Sequence, residues 1–361
     1  MLNTPKAILI AMLFSAGAAS ASPDDMNPQL RAKAQQAIDS GVKYLLSQQA
    51  ANGSLLNSVG LTSLSLAAIL QNPAGLGGVD KAAIDKYAKF IVSNANADGS
   101  IVERRHDETY NTAVAIVALA ALKDPTYAPL IAAGQKYIAN SQSNESRGVA
   151  PQDPWYGGIG YGGEKRPDMS NLYVALEAMR ATAYDPNDPV WQKALIFASR
   201  MQNRSESNDQ KWAGNDGGFV YAPGGNLPKM GGGTNSYGSM TAAGLYGLLL
   251  IGVEKSDPRV QAAYKWLTTN YTLDANFGTG SKSALFYFYC AFAKVMDAYG
   301  EKEFVDGRGQ RRNWRNELAE RLIVLQDPDG SWVNRDSNDW WENKPELVTS
   351  WSVQALEHAL K

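Results

Sequence analysis

Residues 317–332, ELAERLIVLQDPDGSW, run as a helix and then stop at a short acidic turn that closes on glycine and tryptophan. The same unit occurs twice near the start of the chain, as AIDSGVKYLLSQQAANGSL (37–55) and AIDKYAKFIVSNANADGSI (83–101). Weaker copies lie at 130–143 (LIAAGQKYIANSQS), 191–205 (WQKALIFASRMQNRS) and 259–278 (RVQAAYKWLTTNYTLDANFG). Each is followed by a loop and a second helical run: 60–70, 110–122, 170–179, 237–252, 283–296 and 348–360. The unit is therefore helix, turn, loop, helix. It recurs six times at a spacing of roughly 45 to 70 residues, the mark of a repeat architecture.

The two helices of a unit differ, and the difference assigns their layers. In a first helix, Trp191, Ala194, Leu195, Ala198 and Met201 share one face while Gln192, Lys193 and Arg200 lie elsewhere. Val260, Ala263, Tyr264 and Leu267 repeat that spacing, so these helices bury one stripe and wet the rest. The second helices are apolar nearly all round, as in Ala113, Val114, Ile116, Val117, Leu119, Ala120 and Leu122. A helix of that kind has to be covered on both sides. An open solenoid needs distinct capping repeats, and none is visible. The expected fold is all-α: a single (α/α)6 toroid of six hairpins over residues 22–361.

Several functional classes fall away on composition. Lys6, the apolar run AILIAMLFSAGAA (7–19) and Ala19-Ser20-Ala21 read as a cleaved leader over residues 1–21, which implies a secreted or periplasmic chain. No later segment reaches the ~20 apolar residues of a membrane span. The net charge of −2 and the absence of a dense basic stripe argue against nucleic acid as a partner. Cys290 is the one cysteine, set in an apolar run, and reads as a small buried hydrophobe. Only His106 and His358 exist, and His358 on the terminal helix reads as a surface or cap residue, so no metal site is expected.

The turn from Gln326 to Trp332 resembles the glutamine–tryptophan repeat of squalene cyclases and related terpenoid cyclases. Gln48 or Gln49 with Gly53, and Gln202 with Gly218 and Phe219, look like degraded copies. The resemblance covers the whole chain after the leader and implies the six-hairpin toroid that this family shares with protein prenyltransferase β-subunits. It also implies that the glutamine ties one helix end to the next, with the tryptophan stacked over it. The family's catalytic signature, Asp-x-Asp-Asp before an inner helix, aligns with Asp168, Met169, Ser170 and Asn171. The residue that the resemblance would make the proton donor is Ser170, whose hydroxyl is far too weak an acid to protonate an alkene. Asp168, with a reference pKa of about 3.9, is ordinarily ionised and reads as a cap on the helix that follows. The prenyltransferase zinc set is absent, since Phe288 stands where its aspartate would be.

A second polar cluster, VERRHDETYN (102–111), holds His106, Asp107 and Tyr110 at an inner-helix start. Proton abstraction and neutralisation of a substrate carboxylate need such groups, so a carbohydrate-active lyase or hydrolase is the alternative to a terpenoid-cyclase-like protein. A non-catalytic toroid that binds a ligand or a protein is the third reading. Asp168, His106 and Tyr110 are the catalytic candidates. Asp107, Asn171, Tyr237, Trp155, Trp341 and Lys282 are the ligand-binding candidates, because all belong to loops or termini at one end of the expected ring. Inner-helix N-termini with free N–H groups would favour negative charge there. The expected partner is a small apolar or carbohydrate molecule in the central cavity of a monomer, with no cofactor and no metal.

Overall fold

Helices with no polar face bury themselves in a ring. The computed structural model describes residues 26–104, 106–162 and 166–361; the expected leader lies outside them. Among the described residues, twelve α-helices form: α1 (Pro28–Ser47), α2 (Val59–Leu70), α3 (Lys81–Ser93), α4 (Glu108–Ala121), α5 (Ala128–Ser141), α6 (Met169–Ala181), α7 (Val190–Arg200), α8 (Gly238–Ile251), α9 (Pro258–Thr269), α10 (Leu285–Tyr299), α11 (Trp314–Leu325) and α12 (Pro345–Leu360). One small antiparallel hairpin, β1 (Glu303–Val305) with β2 (Arg311–Asn313), pairs Phe304 with Arg312.

The even-numbered helices make the inner layer. α2 packs on α4, α4 on α6, α6 on α8, α8 on α10, α10 on α12, and α12 returns to α2. Every residue of α2 from Val59 to Ile69 is buried, as is every residue of α12 from Leu347 to Leu360. The odd-numbered helices lie outside and bury one stripe each; α3 buries only Ile84, Tyr87, Ala88, Phe90 and Ile91. The all-α toroid expected from the repeats is the fold that forms. No helix among the described residues is long and apolar enough to cross a membrane.

The turn after four of the outer helices, α1, α5, α7 and α11, carries a repeated stitch. Gln326 Nε2 donates to Gly330 O at 3.0 Å in its own turn and to Ala37 O at 2.9 Å on α1. Gln202 does the same with Gly217 O and Arg259 O, and Gln142 with Gly157 O and Val190 O. Gln49 reaches Ala83 O on the next outer helix. The glycine of each turn lies against that next helix at positive φ, where a Cβ would be strained and has no room. A Cβ on Gly157 would meet Lys193 O at 1.8 Å, and one on Gly330 would meet Ser40 O at 2.5 Å. The copy at Gln202 is therefore centred on Gly217, one residue before the Gly218 expected from sequence. The copy at Gln142 was hidden by the fourteen residues that separate it from Gly157.

The chain then enters the inner helix through a second recurring bond. Trp332 N–H donates to Thr349 Oγ1 at 3.0 Å, and Leu55, Ile101 and Phe219 donate in the same way to Thr62, Thr112 and Thr241. Trp332 is fully buried, with its indole N–H on Leu322 O at 2.7 Å.

Two glycines separate close approach from mere backbone strain. Gly148 also has positive φ, but open space surrounds the position of its Cβ. Gly148→Ala should cost about 1 kcal/mol from left-handed strain alone, whereas Gly157→Ala should cost about 4 kcal/mol or more. Urea unfolding of the two variants checks this, and equal costs would mean that the turn does not bear on its neighbour.

Candidate functional site

The inner helices begin at one rim, and the N-termini of α2, α4, α6, α8 and α10 are each met by the loop of the next hairpin. Val59 N–H donates to Glu103 Oε2 (3.0 Å), Thr109 N–H to Tyr161 O (2.8 Å), and Met169 N–H to Tyr221 O (2.8 Å). Gly238 N–H donates to Phe277 O (2.8 Å) and Ser239 N–H to Asn276 Oδ1 (2.9 Å). At α10 the Glu342 carboxylate accepts from the N–H groups of Leu285, Phe286 and Tyr287 at 2.8–3.0 Å, and from Asn334 Nδ2 at 2.6 Å. The expectation of a rim of free N–H groups attracting anions is corrected at these five helix ends. The chain supplies its own acceptors, because buried helix ends require partners.

Asp168 is the N-cap of α6. Its Oδ1 accepts from Asn171 N–H at 2.8 Å and its Oδ2 from Asn171 Nδ2 at 2.7 Å, and the Tyr221 hydroxyl lies beside it. Burial pushes its pKa up to about 6 in spite of these donors. Burial likewise raises the phenols of Tyr161, Tyr221 and Tyr237, and the Asp168 charge beside them adds to the rise. Glu342, fully enclosed, is pushed up to about 7 by the same cause.

The expected site residues divide into two sets. Asp168, Asn171 and Tyr237 are buried together, and Tyr110 joins them through Tyr161, whose ring centroid lies 6.0 Å away. The others stay outside this cluster. His106 is exposed and its Nδ1 lies 3.0 Å from Asp107 Oδ1; Asp107 sits at the α4 N-cap position without a side-chain capping bond. Lys282 pairs with Asp336 at 2.7 Å on the surface, and Trp155 lies under the Arg166 guanidinium at 5.1 Å. Trp341 is 60 % exposed, and both it and Trp340 hold a left-handed backbone. His358 is corrected from a surface residue to a buried one. Its Nδ1 lies 2.9 Å from Asp297 Oδ2, and burial first, against that bond, lowers its pKa to about 4.

Several interior residues were missed. Tyr173 on α6 meets Tyr246 on α8 at 6.2 Å and Tyr287 on α10 at 6.3 Å, and Tyr287 meets Trp351 on α12 at 5.5 Å. The Tyr173–Tyr287 contact joins helices that are not neighbours in the ring, so these side chains extend across its interior. Ser170 lies beside the Tyr287 hydroxyl. A buried ion pair also spans the ring, with Lys294 Nζ 2.9 Å from Glu177 Oε1. The available signal was a charged residue, Glu177 or Lys294, within the otherwise apolar middle of an inner helix.

This arrangement is poor for β-elimination. A tyrosine base must lose its proton readily, and burial raises the Tyr110 phenol far from that.

Neither a protein-family model nor a curated protein sequence matches the chain. Among solved structures, two variants of the type II terpene cyclase MstE from Scytonema align with it. One, in complex with its product merosterolic acid A, shares 13 % identity over 93 % of this chain and 99 % of that chain, with a TM-score of 0.35. The other, in complex with geranylgeranyl dihydroxybenzoate, shares 12 % identity over 92 % and 99 %, with a TM-score of 0.37. At such scores the likeness carries no argument about activity.

The Asp168 geometry makes a pH-dependent prediction. A folded pKa raised from 3.8 to about 6 means that the folded chain holds a proton the unfolded chain has lost between those values, so stability falls as pH rises through that window. Asp168→Asn removes the effect. Asn171 Oδ1 has no partner, so that amide can turn over and accept from the side-chain amide introduced at position 168. The variant should match the parent near pH 4 and exceed it by up to ~3 kcal/mol near pH 8. Asp168→Ala should lose ~0.5–2 kcal/mol of capping relative to Asp168→Asn at either pH. Denaturant melts at both pH values measure this, and a pH-independent difference between Asp168→Asn and the parent would refute it.

Proposed function

We propose that the chain is a terpenoid-cyclase-like toroid that holds an apolar, isoprenoid-like ligand in the ring interior and does not protonate it. What carries the reading is the convergence of Tyr110, Tyr173, Tyr246, Tyr287 and Trp351 from α4, α6, α8, α10 and α12. Ring faces and edges from every inner helix but α2 give an interior suited to branched hydrocarbon and to a flat unsaturated chain. Tyr110, Ser170, Glu177 and Tyr287 keep some accessible surface among these rings. Of these, Tyr110, Ser170 and Tyr287 supply hydroxyls for one polar end of a ligand. The proposal includes export of the chain, on the leader at 1–21, and action as a monomer.

The proton-donor step is left out of the proposal for a chemical reason. Ser170 occupies the position that such a step requires, and both Asp168 oxygens are taken by capping bonds.

Geranylgeraniol is a direct probe. Titrated into the full chain, it should quench tryptophan emission saturably through Trp351. Tyr173→Ala and Tyr287→Ala should each weaken binding at least tenfold, and mass spectrometry of the incubated alcohol should return it unchanged. No saturable binding would overturn the ligand class, and a cyclised product would overturn the non-protonating assignment.

A further inference from the structure

A cleft of about 750 Å3 opens away from the ring interior, where the turn after α7 crosses α9. Arg204, Glu206, Asn215 and Asp216 come from that turn, Lys265, Trp266 and Thr269 from α9, and Asn270 and Phe277 from the loop beyond it. Its size falls within the range of small-molecule sites.

Two features of the cleft point to a ligand. The first is an aromatic platform: Phe277 is 43 % exposed and its ring meets Trp266 edge-on, with centroids 5.8 Å apart at 70°. An exposed phenylalanine braced from behind presents a flat, dry face. The second is polar capacity left unused around that face. Asn215 Oδ1 accepts from Ser205 N–H and Oγ, which leaves its Nδ2 as a donor without a partner among the described residues. Asp216 Oδ1 accepts from Gly218 N–H and Ser236 Oγ, which fixes the carboxylate and leaves Oδ2 as an acceptor. Asn270 Nδ2 donates to Trp266 O, which leaves its Oδ1. Lys265 Nζ has no hydrogen-bond or ion-pair partner among the described residues. Asn215, Asp216 and Asn270 are held by these bonds, so their ordering is complete before a ligand arrives, whereas Lys265 must be ordered on binding.

Charge narrows the ligand class. Arg204 pairs with Glu206, and Lys265 is balanced by Asp216, so the cleft is formally neutral. A phosphate or a uronate would find no net positive charge there to offset its own. A molecule with an apolar face and a rim of hydroxyls that both donate and accept fits better: its C–H face lies on Phe277 and its hydroxyls reach Asn215, Asp216, Asn270 and Lys265. We infer that this cleft binds a neutral pyranoside oligosaccharide, independently of the ring interior. It is a binding site, with no reaction assigned to it.

The test uses the full chain and a panel of immobilised oligosaccharides, neutral (cello-, malto- and chito-hexaose) and acidic (oligogalacturonate), followed by calorimetry on any hit. At least one neutral oligosaccharide should bind. Phe277→Ala should weaken it at least tenfold and Asn215→Ala about tenfold, with unchanged melting temperature. Tyr287→Ala, inside the ring, should leave oligosaccharide binding unaltered, and Phe277→Ala should leave geranylgeraniol binding unaltered, so the two sites fail separately. Binding of no neutral oligosaccharide, binding of the uronate alone, or full affinity in Phe277→Ala would each overturn the inference.

Discussion

The structure depends on α12 meeting α2. α2 buries every residue from Val59 to Ile69, and no outer helix alone can cover all of that surface. At ~1.5–3 kcal/mol for each large apolar side chain, one uncovered inner helix would forfeit as much free energy as a whole domain ordinarily holds in reserve. Closure joins segments nearly the whole chain apart: Ser65 Oγ lies 2.8 Å from Ser350 Oγ, and Gln354 Nε2 reaches Leu64 O at 3.3 Å. On the outer layer Gln326 makes the equivalent reach to Ala37 O. The loop-closure entropy of such distant contacts grows only slowly with length, whereas the uncovered surface grows with every helix left open. A ring is therefore favoured over an arc.

Closure fixes what the rim can do. When six helices start at one end, each N-terminus needs acceptors, and the loop that precedes the next inner helix is the nearest supply. Glu103, Tyr161, Tyr221, Phe277 with Asn276, and Glu342 fill that role in turn. Long irregular loops thereby become structural. Their backbone strain, as at Trp340 and Trp341, follows from carrying Glu342 under the start of α10. The helix dipoles are thus largely answered within the chain. Ligand recognition falls to side chains deeper in the ring and to surfaces between hairpins.

The sequence was most legible where one physical requirement repeats. Periodicity separated wet from dry helices, and the turn around Gln326 and Trp332 was readable because glutamine, glycine and tryptophan each meet a need specific to that residue type. Asp168 as a cap was readable for the same reason: its partner Asn171 is three residues away. What could not be read depends on distant pairing. Glu342 looks like a surface residue in a polar loop, yet it caps a helix 55 residues earlier. His358 looks like a terminal surface residue until Asp297 and α11 enclose it. Glu177 and Lys294, 117 residues apart, meet only after the ring closes. Trp155, Lys282 and Trp341 were grouped with the site because they share a class of loop, but sharing an end of the ring does not bring side chains together.

The chemistry of Asp168 follows from its structural task. A proton donor to an alkene must be a strong acid with its proton aimed at open space. Burial has taken this carboxyl the other way, up to about 6, which makes it a weaker acid. Each unit of that rise is 1.36 kcal/mol added to the cost of giving up the proton. The two bonds from Asn171 favour the ionised form, but they occupy both oxygens from which a proton would leave. A carboxyl that satisfies a buried helix end is held by the same contacts that a donor must be free of, and desolvation without a stabilising cation weakens it further. Lys294, a buried cation of the ring interior, is already committed to Glu177 across the ring. Capping and alkene protonation therefore compete for one carboxyl, and in this chain the cap prevails.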